Sequence, residues 1–320
     1  MRRRAVIAGL VAAPLATRAL AKEQPRISIL HSGYPNRTPI HLLFAELREL
    51  GYEDRRSATI KLLGAEGDAD RLALLVAELV AERPDVIVAV TSPAVRALKR
   101  AGVTTPVVFV FVSDPVGLGF VESLAHPGGN FTGVTYSDAK LGGKRLQLLI
   151  DALPGTSRVA VLWSPLIPEF VALFENIRAS ALAQKIETIS REYHGMEDLA
   201  SAFDDAKAAG AQAVIFMSTN LLFGYRKEVA ALALAHHLPS IHTFAPEVED
   251  GGLMSFGADM GESYRRAAAL TAAILKGARP ADLPVEEPTR YTLAVNLKTA
   301  AALGIVLPPL ILMQAEEVIE

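Results

Sequence analysis

The 320-residue sequence contains no cysteine and a single tryptophan, Trp163. The absence of cysteine excludes disulfide bonds, thiolate metal sites and cysteine nucleophiles together. After residue 21, no apolar run approaches the roughly 20 residues that a helix needs to cross a bilayer. Short-period repeats and low-complexity blocks are also missing. The stability of this protein must therefore come from an ordinary hydrophobic core, and a hydrophobic content of 51% is sufficient for one.

An excess of positive charge is missing as well. The chain has 32 Lys and Arg against 35 Asp and Glu, which gives a formal net charge of −3. Residues 1–21 contain four arginines and no acidic residue. The rest of the chain therefore has 28 basic and 35 acidic residues and is more acidic than the whole. An acidic chain is a poor ligand for a phosphate backbone, so nucleic acid is not an expected partner.

The first 21 residues have the three regions of a secretory signal peptide. Arg2, Arg3 and Arg4 precede an apolar run of about a dozen residues, and Ala19-Leu20-Ala21 is an A-x-A-type cleavage site. We therefore expect residues 1–21 to be a signal peptide and the mature protein to be periplasmic. No cysteine follows the apolar run, so a lipid anchor is not expected. Arg3-Arg4 leaves both the general secretory and the twin-arginine routes open.

The rest of the chain alternates short apolar strands with amphipathic helices. Examples of strands are 85–90 (DVIVAV), 107–112 (VVFVFV) and 158–163 (RVAVLW), each followed by a helical pattern. This alternation predicts an α/β fold with parallel sheets covered by helices on both faces. Two such series, joined near residue 137, predict two doubly wound lobes. The pattern also predicts a helix over 116–124.

Several longer segments resemble one family. They are DVIVAVTSPAVRAL (85–98), VVFVFVSDPVGLGFVESLAHPGGNFTGVT (107–135), KRLQLL (144–149), GGLMSFG (251–257), ILKGARPADLPVEEPT (274–289) and NLKTAAALGIVLPP (296–309). The sequence is similar to ABC-transporter substrate-binding proteins of the tryptophan and tyrosine type, from about residue 26 to the end. Characterised relatives bind aromatic amino acids. The chain departs from the family pattern at 31–34 and 219–223.

The resemblance implies a type I periplasmic binding-protein fold, in which two lobes joined by a hinge close over a ligand in a central cleft. It implies a first lobe of residues 26–137 with about 248–279, and a second lobe of 138–247 with about 280–320. It also implies a small-molecule ligand and, as partners, ABC permease subunits driven by a separate ATPase. We expect the binding protein itself to be a monomer.

Polar residues at strand ends are the candidate ligand contacts, because the carboxyl ends of parallel strands share one rim. Ser92 is expected to cap the following helix, and the free N–H groups and hydroxyls of Thr91 and Ser92 are expected to hold a ligand carboxylate; the two roles are compatible. Ser113 and Asp114 follow the next strand, and Asp114 is either a helix cap or an acceptor for a ligand ammonium or hydroxyl. Tyr136 either lines the cleft or packs at the lobe junction.

The remaining candidates lie on other strand ends or loops. In the second lobe, Trp163 is either a stacking wall for a flat ligand or a packing residue. The acidic cluster Glu247, Glu249 and Asp250 is expected to be solvated surface. The other predicted ligand contacts are Ser32, Gly33 and Tyr34 in the first loop, Ser164, Thr219, Asn220 and Phe244 in the second lobe, and Ser255 on a returning strand.

No catalytic, metal or cofactor motif is visible in the sequence. There is no GxSxG element or Ser–His–acid arrangement, and the seven histidines lack metal-ligand spacing. We therefore expect a binding protein with no enzymatic activity, no metal and no cofactor. The predicted function is a periplasmic solute-binding protein of an ABC importer that captures a small carboxylate-bearing ligand, an amino acid or an aromatic acid. The alternative is a ligand-sensing module for a membrane receptor.

Overall fold

The first lobe is built on a five-stranded parallel sheet with strand order β2-β1-β3-β4-β5. The computed structural model describes residues 24–136 and 141–320, so the predicted signal peptide lies outside the described residues. Continuous apolar runs make β3 and β4 fully buried, as expected for central strands with helices on both faces. The strands are β1 (Arg26–His31), β2 (Thr59–Gly64), β3 (Val86–Val90), β4 (Val107–Val112) and β5 (Phe131–Thr135).

Helices cover both faces of this sheet. Two helices, α1 (His41–Glu49) and α10 (Met260–Leu275), pack on the face that carries Val88, Val108 and Val110. The other face is covered by α2 (Ala69–Glu82) and α3 (Ser92–Arg100). A 3-10 turn at Pro35–Arg37 follows β1.

The second lobe has a seven-stranded sheet of order β12-β11-β10-β9-β8-β6-β7. Its strands are parallel except where β11 pairs antiparallel with β10. The strands are β6 (Arg158–Trp163), β7 (Glu187–Glu192), β8 (Ala213–Phe216), β9 (Ser240–His242), β10 (Met254–Ala258), β11 (Tyr291–Asn296) and β12 (Glu317–Ile319).

Helices of the second lobe also lie on both faces of their sheet. The first four along the chain are α4 (Gly142–Ala152), α5 (Glu169–Ala183), α6 (Leu199–Ala208) and α7 (Asn220–Gly224). The others are α8 (Arg226–Ala235), α9 (Ala245–Glu249), α11 (Leu297–Ala302) and α12 (Pro309–Gln314). Two parallel-sheet α/β lobes confirm the predicted fold class.

The lobe bounds predicted from the resemblance differ from the structure in two places. The range 248–279 was expected in the first lobe, but β10 pairs with β9 in the second sheet, and only α10 packs on the first lobe. The range 280–320 was expected in the second lobe, but Val285 lies in the first-lobe core and the Glu286 N–H donates to Gly133 O at 2.9 Å. The chain therefore crosses near residue 259 and again after residue 286.

The helix predicted over 116–124 does not form. Residues 115–119 make turns, and Gly119 has φ +69°. Glycines at 117 and 119 lose more backbone entropy in a helix than other residues, which favours turns here. In the part of the chain that the structure describes, no helix is long and apolar enough to span a membrane.

Candidate functional site

A cavity lies between the two lobes at the carboxyl ends of their strands. It contains about 850 Å³ of empty space, including the part open to solvent. Small-molecule sites mix apolar walls with a few polar groups, as this cavity does. The predicted residues that line it are Thr91, Ser92, Ser113, Tyr136, Thr219, Asn220 and Phe244.

The start of α3 supplies hydrogen-bond donors to this cavity. Thr91 precedes the helix with φ +80°, and its side chain does not cap the helix. Within the described residues, the N–H groups of Ser92 and Ala94 have no hydrogen-bond acceptor. A non-glycine residue with positive φ costs about 1–3 kcal/mol and tends to occur at functional sites. The strained Thr91 and the free N–H groups make this helix start suited to an anion.

A charged pair that the sequence analysis missed spans the cavity. Arg96 of α3 in the first lobe and Glu169 of α5 in the second lobe both line it, with 3.5 Å between Nη2 and Oε1. The Arg96 Nη2 and Glu169 Oε2 atoms are buried and have no hydrogen-bond partner among the described residues. Buried polar groups normally find partners, so these two atoms are available to a ligand with one negative and one positive group.

Five aromatic side chains form a wall of the cavity. Phe244 is at the centre, with ring centroids 5.8 Å from those of Phe111 and Phe223 and 5.9 Å from that of Tyr136. Tyr264 continues the wall at 5.1 Å from Phe111. Edge-to-face and tilted contacts at such distances are the preferred geometry of aromatic pairs, so a flat apolar group fits against this wall.

Two further side chains present defined hydrogen-bonding atoms to the cavity. Burial lowers the pKa of His31 to about 4, so its imidazole is neutral at pH 7. The His31 Nδ1 atom accepts from the Gly33 N–H at 2.9 Å, so the ring proton is on Nε2. Asn220 uses its amide N–H₂ group on Ser32 Oγ (2.7 Å) and Thr91 Oγ1 (3.0 Å), which leaves its Oδ1 atom as an acceptor.

The first loop forms contacts between the lobes. Arg37 lies 4.4 Å from the Tyr225 ring centroid and 5.5 Å from that of Tyr34, and it donates to Gly224 O at 3.1 Å. The rings of Tyr34 and Tyr225 meet edge to face at 5.6 Å. These residues, which we call the Arg37 latch, join first-lobe residues 34 and 37 to second-lobe residues 224 and 225. We therefore assign Tyr34 to lobe closure and place it outside the cavity lining.

Ser32 and Gly33 also lie at the lobe contact and outside the lining. Ser32 Oγ accepts from the Asn220 amide, as described above, and is 2.7 Å from Thr91 Oγ1. A Cβ atom on Gly33 would lie 3.0 Å from Asn220 Cβ, so the small residue permits the close approach of the lobes.

The structure places three other predicted contacts away from the cavity lining. Asp114 is exposed, and its Oδ1 atom accepts from the Gly117 N–H at 2.8 Å, so it caps a turn. Ser164 is buried, with 4% of its surface exposed. Ser255 is fully buried inside the second sheet, on β10 between β9 and β11. A strand-end position predicts the correct rim but not the direction of each side chain.

The acidic cluster is only partly surface. Glu249 is exposed, but Glu247 is 2% exposed and lies behind the cavity. Asp250 is half-buried, with 2.7 Å between its Oδ2 atom and Arg226 Nε.

Trp163 stacks on Phe174 at 5.5 Å and is a packing residue. Across residues 24–136 and 141–320, no group of three or more His, Asp or Glu is placed to hold a metal ion.

Comparison with known proteins identifies the family to which the chain is similar. The family described as "ABC transporter substrate binding protein" matches residues 42–319. A curated tyrosine-binding protein of Clostridioides difficile is 24% identical over 258 residues, which cover 80% of this chain and 74% of that protein.

Solved structures are similar over almost the whole chain. A conserved domain protein of Vibrio cholerae has a TM-score of 0.86 at 25% identity, covering 92% of this chain and all of that one. An ABC domain of Streptococcus pneumoniae in complex with L-Trp has a TM-score of 0.83 at 25% identity, with the same coverage. A ligand-free, open substrate binding protein of Clostridium difficile has a TM-score of 0.68 at 20% identity, covering 92% and 99%.

Proposed function

The chain belongs to the family of ABC transporter substrate binding proteins, and we propose that its ligand is an α-amino acid with an aromatic side chain. The family consists of solute-binding proteins, which work with a permease and an ATPase. The observation that carries the ligand class is that two buried atoms of the Arg96–Glu169 ion pair, Arg96 Nη2 and Glu169 Oε2, lie beside an aromatic wall and have no hydrogen-bond partner among the described residues.

The first lobe provides the site for the ligand carboxylate. The free N–H group of Ser92 and the guanidinium of Arg96, one turn further along α3, are donors on residues that line the same cavity. Helix dipole and guanidinium both favour a negative charge there.

The second lobe provides the site for the ligand ammonium. The acceptors that face the cavity are Glu169 Oε2 and Asn220 Oδ1. Glu169, and not Asp114 as the sequence predicted, is thus the carboxylate that accepts from the ligand ammonium. The aromatic side chain of the ligand packs against Phe111, Phe244 and their neighbours. The names of the relatives that bind L-Trp or tyrosine support this ligand class.

Capture works by closure of the lobes. The carboxylate and ammonium sites are on different lobes, so a ligand that engages both stabilises the closed form more than the open one. Differential contacts of this kind shift the population towards the closed state. The Arg37 latch then adds contacts that form only when the lobes meet.

Calorimetry with a matched ligand set tests the proposal. L-Phenylalanine, L-tyrosine and L-tryptophan are compared with the corresponding amines and with the deaminated 3-arylpropanoates. At least one amino acid should bind, and its two truncated analogues should bind much more weakly. Absence of binding by all three amino acids, with folded protein, would overturn the proposal.

Variants of the charged pair sharpen the test. Arg96→Gln and Glu169→Gln should each weaken amino-acid binding about 10- to 150-fold, because a hydrogen bond to a charged group contributes about 1.5–3 kcal/mol. Arg100→Gln changes an exposed arginine on the same helix and should bind like the wild type. Equal affinities for all four proteins would contradict the assigned roles.

We further propose that the protein acts outside the cytoplasm, as a periplasmic monomer that delivers its ligand to permease subunits driven by a separate ATPase. The family and the signal-peptide pattern of residues 1–21 support this location. Cell fractionation and light scattering of the purified protein test location and oligomeric state. The sensing-module alternative is not favoured, because the matched family and relatives are transport proteins.

A further inference from the structure

A fully buried carboxylate lies directly behind the cavity. Glu247 of α9 accepts three hydrogen bonds, from the Ser218 hydroxyl at 2.5 Å, the Phe244 N–H at 2.9 Å and the Thr243 N–H at 3.1 Å. Within the described residues, the basic group beside it is His242, with 3.7 Å between Nδ1 and Oε1. Ser218 itself lines the cavity, so it connects this buried acid to the ligand space.

The two oxygens of Glu247 have different partners. Oε2 accepts from both backbone N–H groups, which fixes the start of the short helix α9, while Oε1 accepts, among the described residues, from the Ser218 hydroxyl alone. A carboxylate cannot donate, so the single hydroxyl proton of Ser218 must point towards Glu247. The lone pairs of Ser218 Oγ remain free for a donor in the cavity.

The acid keeps its charge in this position. Burial alone would raise the pKa of Glu247, but the neighbouring His242, the Ser218 hydroxyl and the Phe244 N–H outweigh it and hold the pKa below its ordinary value. A charged acceptor binds the hydroxyl proton more strongly than a neutral one. The direction of the Ser218 hydroxyl is therefore fixed before any ligand arrives.

We propose that Glu247 is a positioning residue for ligand selection: it holds Ser218 as an acceptor, so that the cavity takes the ligand's ammonium group there and disfavours a ligand without one. This inference rests on the proposed amino-acid ligand. It adds a third acceptor, Ser218 Oγ, to Glu169 and Asn220 on the second-lobe side of the cavity.

Replacement by glutamine separates the positioning role from the structural one. In Glu247→Gln, the amide oxygen can occupy the Oε2 position and keep both backbone hydrogen bonds, so α9 retains its start. The amide N–H₂ group then lies at the Oε1 position and donates to Ser218 Oγ. The Ser218 proton must turn away, and Ser218 becomes a donor towards the cavity.

The experiment uses the amino acid that the wild type binds most tightly among L-phenylalanine, L-tyrosine and L-tryptophan, together with its deaminated 3-arylpropanoate. We expect Glu247→Gln to weaken binding of the amino acid about 10-fold or more and to leave binding of the deaminated acid unchanged or stronger. Ser218→Ala, which removes the acceptor, should weaken amino-acid binding similarly. The double variant should be no weaker than Glu247→Gln alone, since both act through one hydroxyl.

Glu249→Gln, an exposed acid on the same helix, is the matched control and should bind like the wild type. An unchanged ratio of affinities for the two ligands in Glu247→Gln would overturn the inference. If that variant does not fold, Ser218→Ala decides: the inference is wrong if it binds the amino acid as tightly as the wild type. Failure of the proposed function looks different, because the wild type would then bind none of the three amino acids.

Discussion

The neutral, buried His31 predicts a specific dependence of stability on pH. Its pKa is about 6.5 in an unfolded chain and about 4 in the folded protein, because burial disfavours the charged imidazolium. As the pH falls from 6.5 to 4, the unfolded chain takes up a proton that the folded protein does not. Stability is therefore lost in this window as the pH falls, and at pH 5 the loss from this one group is about 2 kcal/mol.

Urea unfolding of the wild type and of His31→Asn at pH 7.5 and pH 5 measures this contribution. Asparagine does not titrate, and its Oδ1 atom can accept the Gly33 N–H as His31 Nδ1 does. Other groups titrate equally in both proteins, so the difference between their two pH dependences isolates His31. The wild type should lose about 2 kcal/mol more than the variant between the two pH values.

The matched control is His126→Asn, which replaces an exposed histidine and should keep the wild-type pH dependence. If His31→Asn loses as much stability as the wild type on acidification, the reasoning is refuted. The same result would remove the argument that His31 presents a fixed Nε2–H donor to the cavity.

Two further variants test backbone packing and lobe closure. Gly257→Ala places a Cβ atom 2.0 Å from the carbonyl oxygen of Thr243, so urea unfolding should show a loss of stability of about 1–3 kcal/mol. Gly129→Ala should leave stability unchanged, because no heavy atom of the described residues lies within 4 Å of the added Cβ atom. Tyr225→Leu removes the cation–π contact with Arg37 outside the cavity lining, worth about 0.5–1 kcal/mol, so calorimetry should show amino-acid affinity about 2- to 5-fold weaker. Equal stability of the two glycine variants, or an unchanged affinity in Tyr225→Leu, would contradict these assignments.

The sequence was most informative where one local pattern decides the structure. The unbroken apolar runs of β3 and β4 predict buried parallel strands, and both strands end next to cavity residues, Thr91 and Ser113. The same logic failed after β4, where Asp114 resembles a helix cap but closes a turn. Glycines 117 and 119 were the available signal that a helix would not follow.

The charged residues of the site could not be found from local patterns. Arg96 and Glu169 are separated by 73 positions and meet only because the lobes approach each other. On its own, Arg96 looks like an ordinary solvated helix residue, although its position one turn after Ser92 puts it on the same helix face. Glu247 was expected to be solvated beside Glu249 for a similar reason, because the sequence does not show whether a charged side chain points to solvent or to the interior.

The position of α10 in the chain has a consequence for how the protein is made. The strands of the first sheet are complete at Thr135, but the helix that shields Val88 and Val108 ends only at Leu275. During synthesis, the sheet therefore remains unfinished on one side while most of the second lobe emerges. Such an exposed apolar face promotes aggregation, so the first lobe completes its core only after most of the second lobe has been added to the chain.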